Sequence, residues 1–168
     1  MGSVEAISDI AIPLLGVFVG VGLSVVGYKL NHQTSLREMA FSLLDEYYSS
    51  EFTEHRLKAE FALSKHPNGN LQDLYMAALG IKTETNSEIT ITPEEYHHIS
   101  AVMHFFSKVA KLKKQKLVDV KTLNNILGDE IAVWLGSRSH FSKRLSQTPD
   151  KDFKKFIETI KFAGVEYV

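Results

Sequence analysis

There is no cysteine among these 168 residues. Disulfides, thiol catalysis and thiolate metal sites are therefore excluded, and a reducing compartment is compatible. An excess of either charge is missing too. Nineteen Lys and Arg face twenty Asp and Glu, a net charge of -1. Bulk charge therefore does not draw the chain to polyanions, and any anion site must be local. Catalytic signatures are absent. The glycines of Gly16 to Gly22 lie in an apolar run rather than a phosphate-cradling loop, and there is no Gly-x-Ser-x-Gly elbow. The chain is not expected to be an enzyme. Low-complexity tracts and internal repeats are lacking as well. With 44% hydrophobic and 23% charged residues the composition is that of a folded protein.

What the chain does have is one long hydrophobic run. Ile10 to Tyr28 reads IAIPLLGVFVGVGLSVVGY, 19 residues without a charge. As a helix it spans roughly 28 Å, close to the ~30 Å hydrocarbon core of a bilayer. A buried core helix of this length would carry a polar stripe, and here Ser24 is the one polar residue before Tyr28. A cleaved signal peptide needs a basic start, whereas Glu5 and Asp9 precede this run. A single transmembrane helix is expected. Acids before it and Lys29 and Arg37 after it put the N-terminus outside and the C-terminal domain in the cytoplasm, in a cytoplasmic (inner) membrane. Gly16, Gly20 and Ser24 recur every four residues and share one face, broadened by Gly22 and Gly27. Small residues let helices approach closely in lipid, so this face is expected to pack on a second copy. Glycine is also simply common in membrane helices.

The expected organisation is residues 1–31 as N-terminal segment and span, and 32–168 as a compact all-α cytoplasmic domain. No Pro or Gly intervenes between Tyr28 and Tyr48, so the span is expected to continue as one helix into the domain. Leu36, Met39, Ala40, Leu43, Leu44 and Tyr47 mark its apolar face. Thr53 is read as the cap of a second helix, with Leu57, Phe61 and Leu63 apolar. A turn at His66 to Asn70 precedes a helix from Leu71 to Leu79, stopped by Gly80. Lys82 to Thr92 reads as a loop or short edge strand. Thr92-Pro93-Glu94-Glu95 is a helix start, with Thr as N-cap, Pro at the first position and Glu at the third. The core-facing stripe of that helix runs from Ile99 through Val102, Met103, Phe106 and Val109 to Leu112. Asp119 to Leu127 is expected to form a helix closed by Gly128. Another follows from Asp129 to about Ser146, and a last one is capped by Asp150.

Three polar features are candidates for chemistry. Glu94 with His97, and Glu95 with His98, have the Glu-x-x-His spacing of di-iron bundles, but no second such pair exists. No metal is expected, and a polar first turn with exposed histidines explains the pattern. Lys108, Lys111, Lys113, Lys114 and Lys116 cluster at a helix end. They suit anionic lipid headgroups or another anion, and equally the negative end of the helix dipole. Arg138, His140, Phe141, Lys143 and Arg144 mix cations with an aromatic, the combination that binds phosphates and a stacked base. Arg138, Phe141 and Arg144 share one helical face at three-residue spacing. The same stretch also reads as a solvated basic face with Phe141 in the core.

A short span, a small helical domain and the segment VMHFFSKVAKLKKQKLVDVKTLNNILGDEIAVWLG (Val102 to Gly136) together resemble the small single-pass membrane effectors associated with type III CRISPR systems. That resemblance implies antiviral defence, a homotetramer, and a cytoplasmic domain that binds cyclic tetra-adenylate. Ligand binding would rearrange the transmembrane helices to open a pore or disturb the bilayer. The resemblance carries no binding residues with it. Arg138, His140, Phe141, Lys143 and Arg144 are the ligand-site candidates by their chemistry alone. No cofactor and no duplex nucleic acid are expected. The alternative is a membrane-anchored interaction module without a small ligand. An enzyme ranks third and would need metal at Glu94 and His97.

Overall fold

The computed structural model describes residues 2–67 and 69–135, with side chains from residue 21 onward. Five helices make up this part: α1 (Gly2–Tyr48), α2 (Ser50–Lys65), α3 (Leu71–Ala78), α4 (Pro93–Lys114) and α5 (Val120–Leu135). The fold is all-α among the described residues. The segment 82–92 holds turns rather than an edge strand. The expected helix beyond residue 135, the helix capped by Asp150 and the basic-aromatic cluster at 138–144 lie outside the described residues.

Helix α1 is unbroken over 47 residues, about 70 Å at 1.5 Å per residue. Its burial changes along its length. From 21 to 35 every residue is exposed, including Val21, Leu23, Val25 and Val26 at more than half of their surface. These positions are spread around the helix, so this stretch turns no side to the head. Burial becomes complete at Ala40, Leu43 and Tyr47. Among the described residues no helix is long and apolar enough to cross a membrane. The run from Ile10 to Tyr28 belongs half to residues 2–20, which are helical in backbone and whose side chains are not described.

The rest of the head is built around α4. Thr92 Oγ1 accepts from Glu95 N at 3.1 Å, and Glu95 Oε2 accepts from Thr92 N at 2.9 Å. Pro93 needs no N–H at that position. This capping box starts the helix where the sequence places it. Ile99, Val102, Phe106 and Val109 are fully buried, as their 3–4 spacing predicts. Helix α2 packs antiparallel on α4: Phe52 meets Phe105 with ring centroids 4.7 Å apart, and Lys65 bonds Glu95 at the far end.

Helix α2 departs from the sequence reading at two points. Its cap is Ser49, whose Oγ accepts from Phe52 N at 3.2 Å, and Thr53 sits inside the first turns. Leu57 and Phe61 are about 60% exposed (63% and 62%). The buried stripe is instead Phe52, Ala59, Ala62 and Leu63, whose two alanines let α2 lie close to α4. Helix α5 runs straight through Gly128, which the sequence suggested as a stop. A mid-helix glycine costs about 1 kcal/mol against alanine. Burial of Leu127, Ile131, Trp134 and Leu135 along the same helix outweighs that.

Helix α5 lies parallel to α1. Asp119 N donates to Leu36 O at 3.1 Å at one end, and Glu130 meets Tyr47 and Tyr48 eleven residues on. Helices α3 and α4 both end in the same way. Ile81 N and Gly80 N reach back to Met76 O and Ala77 O, while Leu117 N and Lys116 N reach back to Leu112 O and Lys113 O. These are Schellman closures, whose C′ residue is left-handed. Gly80 has φ 73° there and Lys116 has φ 57°.

Candidate functional site

The side chains that carry polar chemistry converge where the end of α1 meets α2, α4 and α5. One group joins α1 to α5. The Tyr47 hydroxyl donates to Glu130 Oε2 at 2.9 Å, and the Tyr48 hydroxyl donates to Glu130 Oε1 at 2.8 Å. The Arg56 guanidinium lies 4.0 Å over the Tyr47 ring and 5.6 Å from that of Tyr48, a cation–π stack. Its Nη1 is 4.0 Å from Glu130 Oε2, and its Nη2 donates to Thr53 Oγ1 at 3.1 Å. Burial, followed by the bond to Glu130, pushes the Tyr47 pKa up to about 12. The bond to the same carboxylate raises that of Tyr48. One carboxylate thus holds two residues of α1 and faces a cation from α2.

The second group is a set of histidines. His55 of α2 and His98 of α4 place their Nδ1 atoms 2.8 Å apart. Two imidazole nitrogens at that distance share a single proton, so one ring must accept. His98 is 8% exposed, and its Nε2 is buried without a hydrogen-bond partner among the described residues. The cheaper arrangement puts the shared proton on His98 Nδ1 and leaves Nε2 as a bare lone pair. A buried unpaired N–H there would cost more. Burial first, then the neighbouring His55, Lys58 and His97, lower the His98 pKa, against an opposing pull from Glu54. His97 stacks edge-on against His55 at 5.4 Å between centroids.

Two members of the Glu-x-x-His pairs are engaged with other partners. Glu95 is committed to Thr92 and Lys65, and His98 is turned to His55. Among the described residues no three His, Asp or Glu side chains converge as ligands.

Beside the histidines a cleft of about 350 Å³ opens between α1, α2 and α4. Phe52 and Phe105 are among its lining residues, with His55, His104, Glu46, Glu51 and Lys108 around them. Lys108 is paired with Glu46, so the rim is acidic on balance. An oligophosphate is repelled by such a rim, and the cleft does not substitute for the basic-aromatic cluster as a nucleotide site.

Sequence reasoning placed Arg138, His140, Phe141, Lys143 and Arg144 in the ligand site; all five lie outside the described residues. Of the small face, Ser24 is exposed, and a methyl group added at Gly22 or Gly27 would meet nothing within 4 Å. Gly16 and Gly20 fall among residues without described side chains. The Tyr47–Glu130 and His55–His98 contacts were missed. They join residues 83 and 43 positions apart, and no local spacing announces them. No known protein family, curated protein or solved structure matches the chain.

Proposed function

We propose that the chain is a single-pass membrane effector. Its N-terminus lies outside the cytoplasmic membrane, its helical head lies inside, and copies associate through the Gly16–Gly20–Ser24 face. The observation that carries this reading is α1 itself. It passes without a break from an apolar stretch exposed on all sides into a buried seam of the head. A helix that is apolar all round belongs in lipid or inside an assembly. Its continuity makes it a lever as well as an anchor.

The proposed input is cyclic tetra-adenylate, bound by a homotetramer through Arg138, His140, Phe141, Lys143 and Arg144. Repetition of one cation-and-aromatic set by symmetry suits a ligand with four phosphates and four bases. The output is a rearrangement of the transmembrane helices that perturbs the bilayer or opens a pore. The test is thermal unfolding of the full chain in detergent. Ligand at a hundred times its Kd adds about 2.7 kcal/mol, roughly 5–10 °C for a chain of this size. No shift at saturation rejects the nucleotide. A full shift in Arg138→Ala/Arg144→Ala rejects the cluster.

A second reading, an anchored interaction module without a small ligand, draws on Leu57 and Phe61. They are exposed one turn apart on α2, the spacing of an apolar protein-binding face.

A further inference from the structure

The head has a definite end nearest the anchor, and that end is basic. Asp119 N bonds Leu36 O, so the α4–α5 turn sits beside residue 36 of α1. Lys108 pairs with Glu46, so α4 descends from that level toward the turn, and Lys114 lies a further turn and a half down. Lys111, Lys114, Gln115, Lys116, Leu117 and Lys121 are exposed around the turn. The acids at this pole are Asp119, which faces Arg37 at 3.8 Å, and Glu38 on α1. Four exposed lysines therefore outnumber the opposing carboxylates, and Leu117 is 47% exposed among them.

We infer that this turn is a lipid-docking surface for the anionic headgroups of the membrane that α1 enters. The inference rests on the anchor reading above. If the apolar run ends at Tyr28, Leu36 is eight residues beyond it, about 12 Å along the axis. Headgroups fill roughly the first 6 Å of that distance. The remaining gap of about 6 Å is shorter than the ~8 Å Debye length at physiological salt, and lysine stems span part of it. Each lysine at such a surface contributes about fivefold to partition.

The residue at the C′ position of α4 adds a second argument. Helix α3 closes the same backbone motif with Gly80, for which the left-handed conformation is free of strain. Helix α4 closes it with Lys116 at φ 57°, where a side chain is disfavoured. The chain accepts that strain at the one C′ position that carries a cation toward the membrane.

The test uses the absence of cysteine to place single fluorophores on the full chain, reconstituted in vesicles with nitroxide-labelled headgroups. A label at Gln115→Cys reports the turn. A label at Ser64→Cys, near the opposite end of α4, is the control. Changing neutral phosphatidylcholine vesicles to ones with about 30% phosphatidylglycerol is expected to raise quenching at 115 about twofold or more and to leave 64 unchanged. Lys114→Glu/Lys116→Glu/Lys121→Glu, or about 1 M salt, is expected to abolish the rise. Lys116→Gly is expected to raise the melting temperature while lowering the quenching, opposite signs that a purely structural lysine does not produce. Equal quenching in both vesicles, with the chain floating with them, overturns this inference alone. If the chain floats with neither vesicle, the anchor falls and this inference with it. If pyrophosphate in solution moves the Gln115→Cys signal as much as anionic lipid does, the surface is a soluble-anion site and the proposal is wrong.

Discussion

Replacing Tyr47 by Phe tests whether Glu130 really clamps α1 to α5. Tyr47 is 1% exposed, and its ring packs against Phe52, Phe105 and the Arg56 guanidinium. Phenylalanine keeps all of that area, so no cavity opens. What disappears is one hydroxyl donating to a carboxylate at 2.9 Å. A hydrogen bond to a charged group contributes about 1.5–3 kcal/mol. The Glu130 side chain is 32% exposed, so water replaces part of the loss and the expected cost is about 1.5–2 kcal/mol. Tyr48→Phe removes an equally short bond from a residue that is 54% exposed, and its cost is expected to stay below about 1 kcal/mol. The assay is urea unfolding of the full chain in detergent, read by Trp134, the only tryptophan, which is 9% exposed against Phe106. Alkali gives an independent signature. The Tyr47 hydroxyl ionises near 12 in the fold and near 10 when unfolded. Its contribution is therefore full below pH 10 and is lost as pH rises toward 12. The stability difference between wild type and Tyr47→Phe should shrink across that window. A Tyr47→Phe cost under about 0.5 kcal/mol, or a larger cost for Tyr48→Phe, refutes the clamp.

Two further outcomes follow from the same packing. His98 has a lowered pKa, so its neutral form is the one the fold holds. The unfolded chain then binds the proton first, and stability present above about pH 6.5 falls as the solution is acidified, by up to about 1.4 kcal/mol per pH unit; His98→Phe should flatten that fall, and an unchanged slope rejects the assignment. Thr92→Ala removes one side of the capping box and should cost about 1 kcal/mol, read as a lowered melting temperature; an unchanged melting temperature rejects the cap.

The sequence was most legible where a local rule acts on neighbouring residues. Thr92 to Glu95 start α4 because the cap, the proline and the glutamate meet within one turn. The unbroken passage of α1 from Tyr28 to Tyr48 follows from the lack of Pro and Gly there. Gly80 stops α3 for the same kind of reason. Local rules failed where tertiary burial decides. Gly128 looks like a stop until the core positions on both sides of it are seen to share one buried face. Leu57 and Phe61 are as apolar as core residues, yet α2 approaches α4 through Ala59 and Ala62, because small side chains allow the closer contact. The candidate site was least legible. Tyr47, Arg56 and Glu130 come from three helices, and only the packing of α1 against both α2 and α5 brings them together.

That packing says how a signal reaching the head would arrive at the proposed anchor. The described part of α5 reaches Leu135, and Arg138, the first of the proposed ligand residues, follows three positions later in the sequence. The same helix is fastened to α1 at two levels, Asp119 on Leu36 and Glu130 on Tyr47 and Tyr48. Eleven residues separate the two levels, about 16 Å of helix. Two fastenings that far apart resist tilting of one helix against the other better than either alone. A displacement of α5 is therefore passed to α1 as movement of a nearly rigid pair. Because α1 is continuous helix from Tyr48 back to Gly2, that movement is directed toward its apolar half. Coupling of this kind needs a ligand that favours one position of α5 over another. It also makes Glu130 the residue whose loss should separate binding from output.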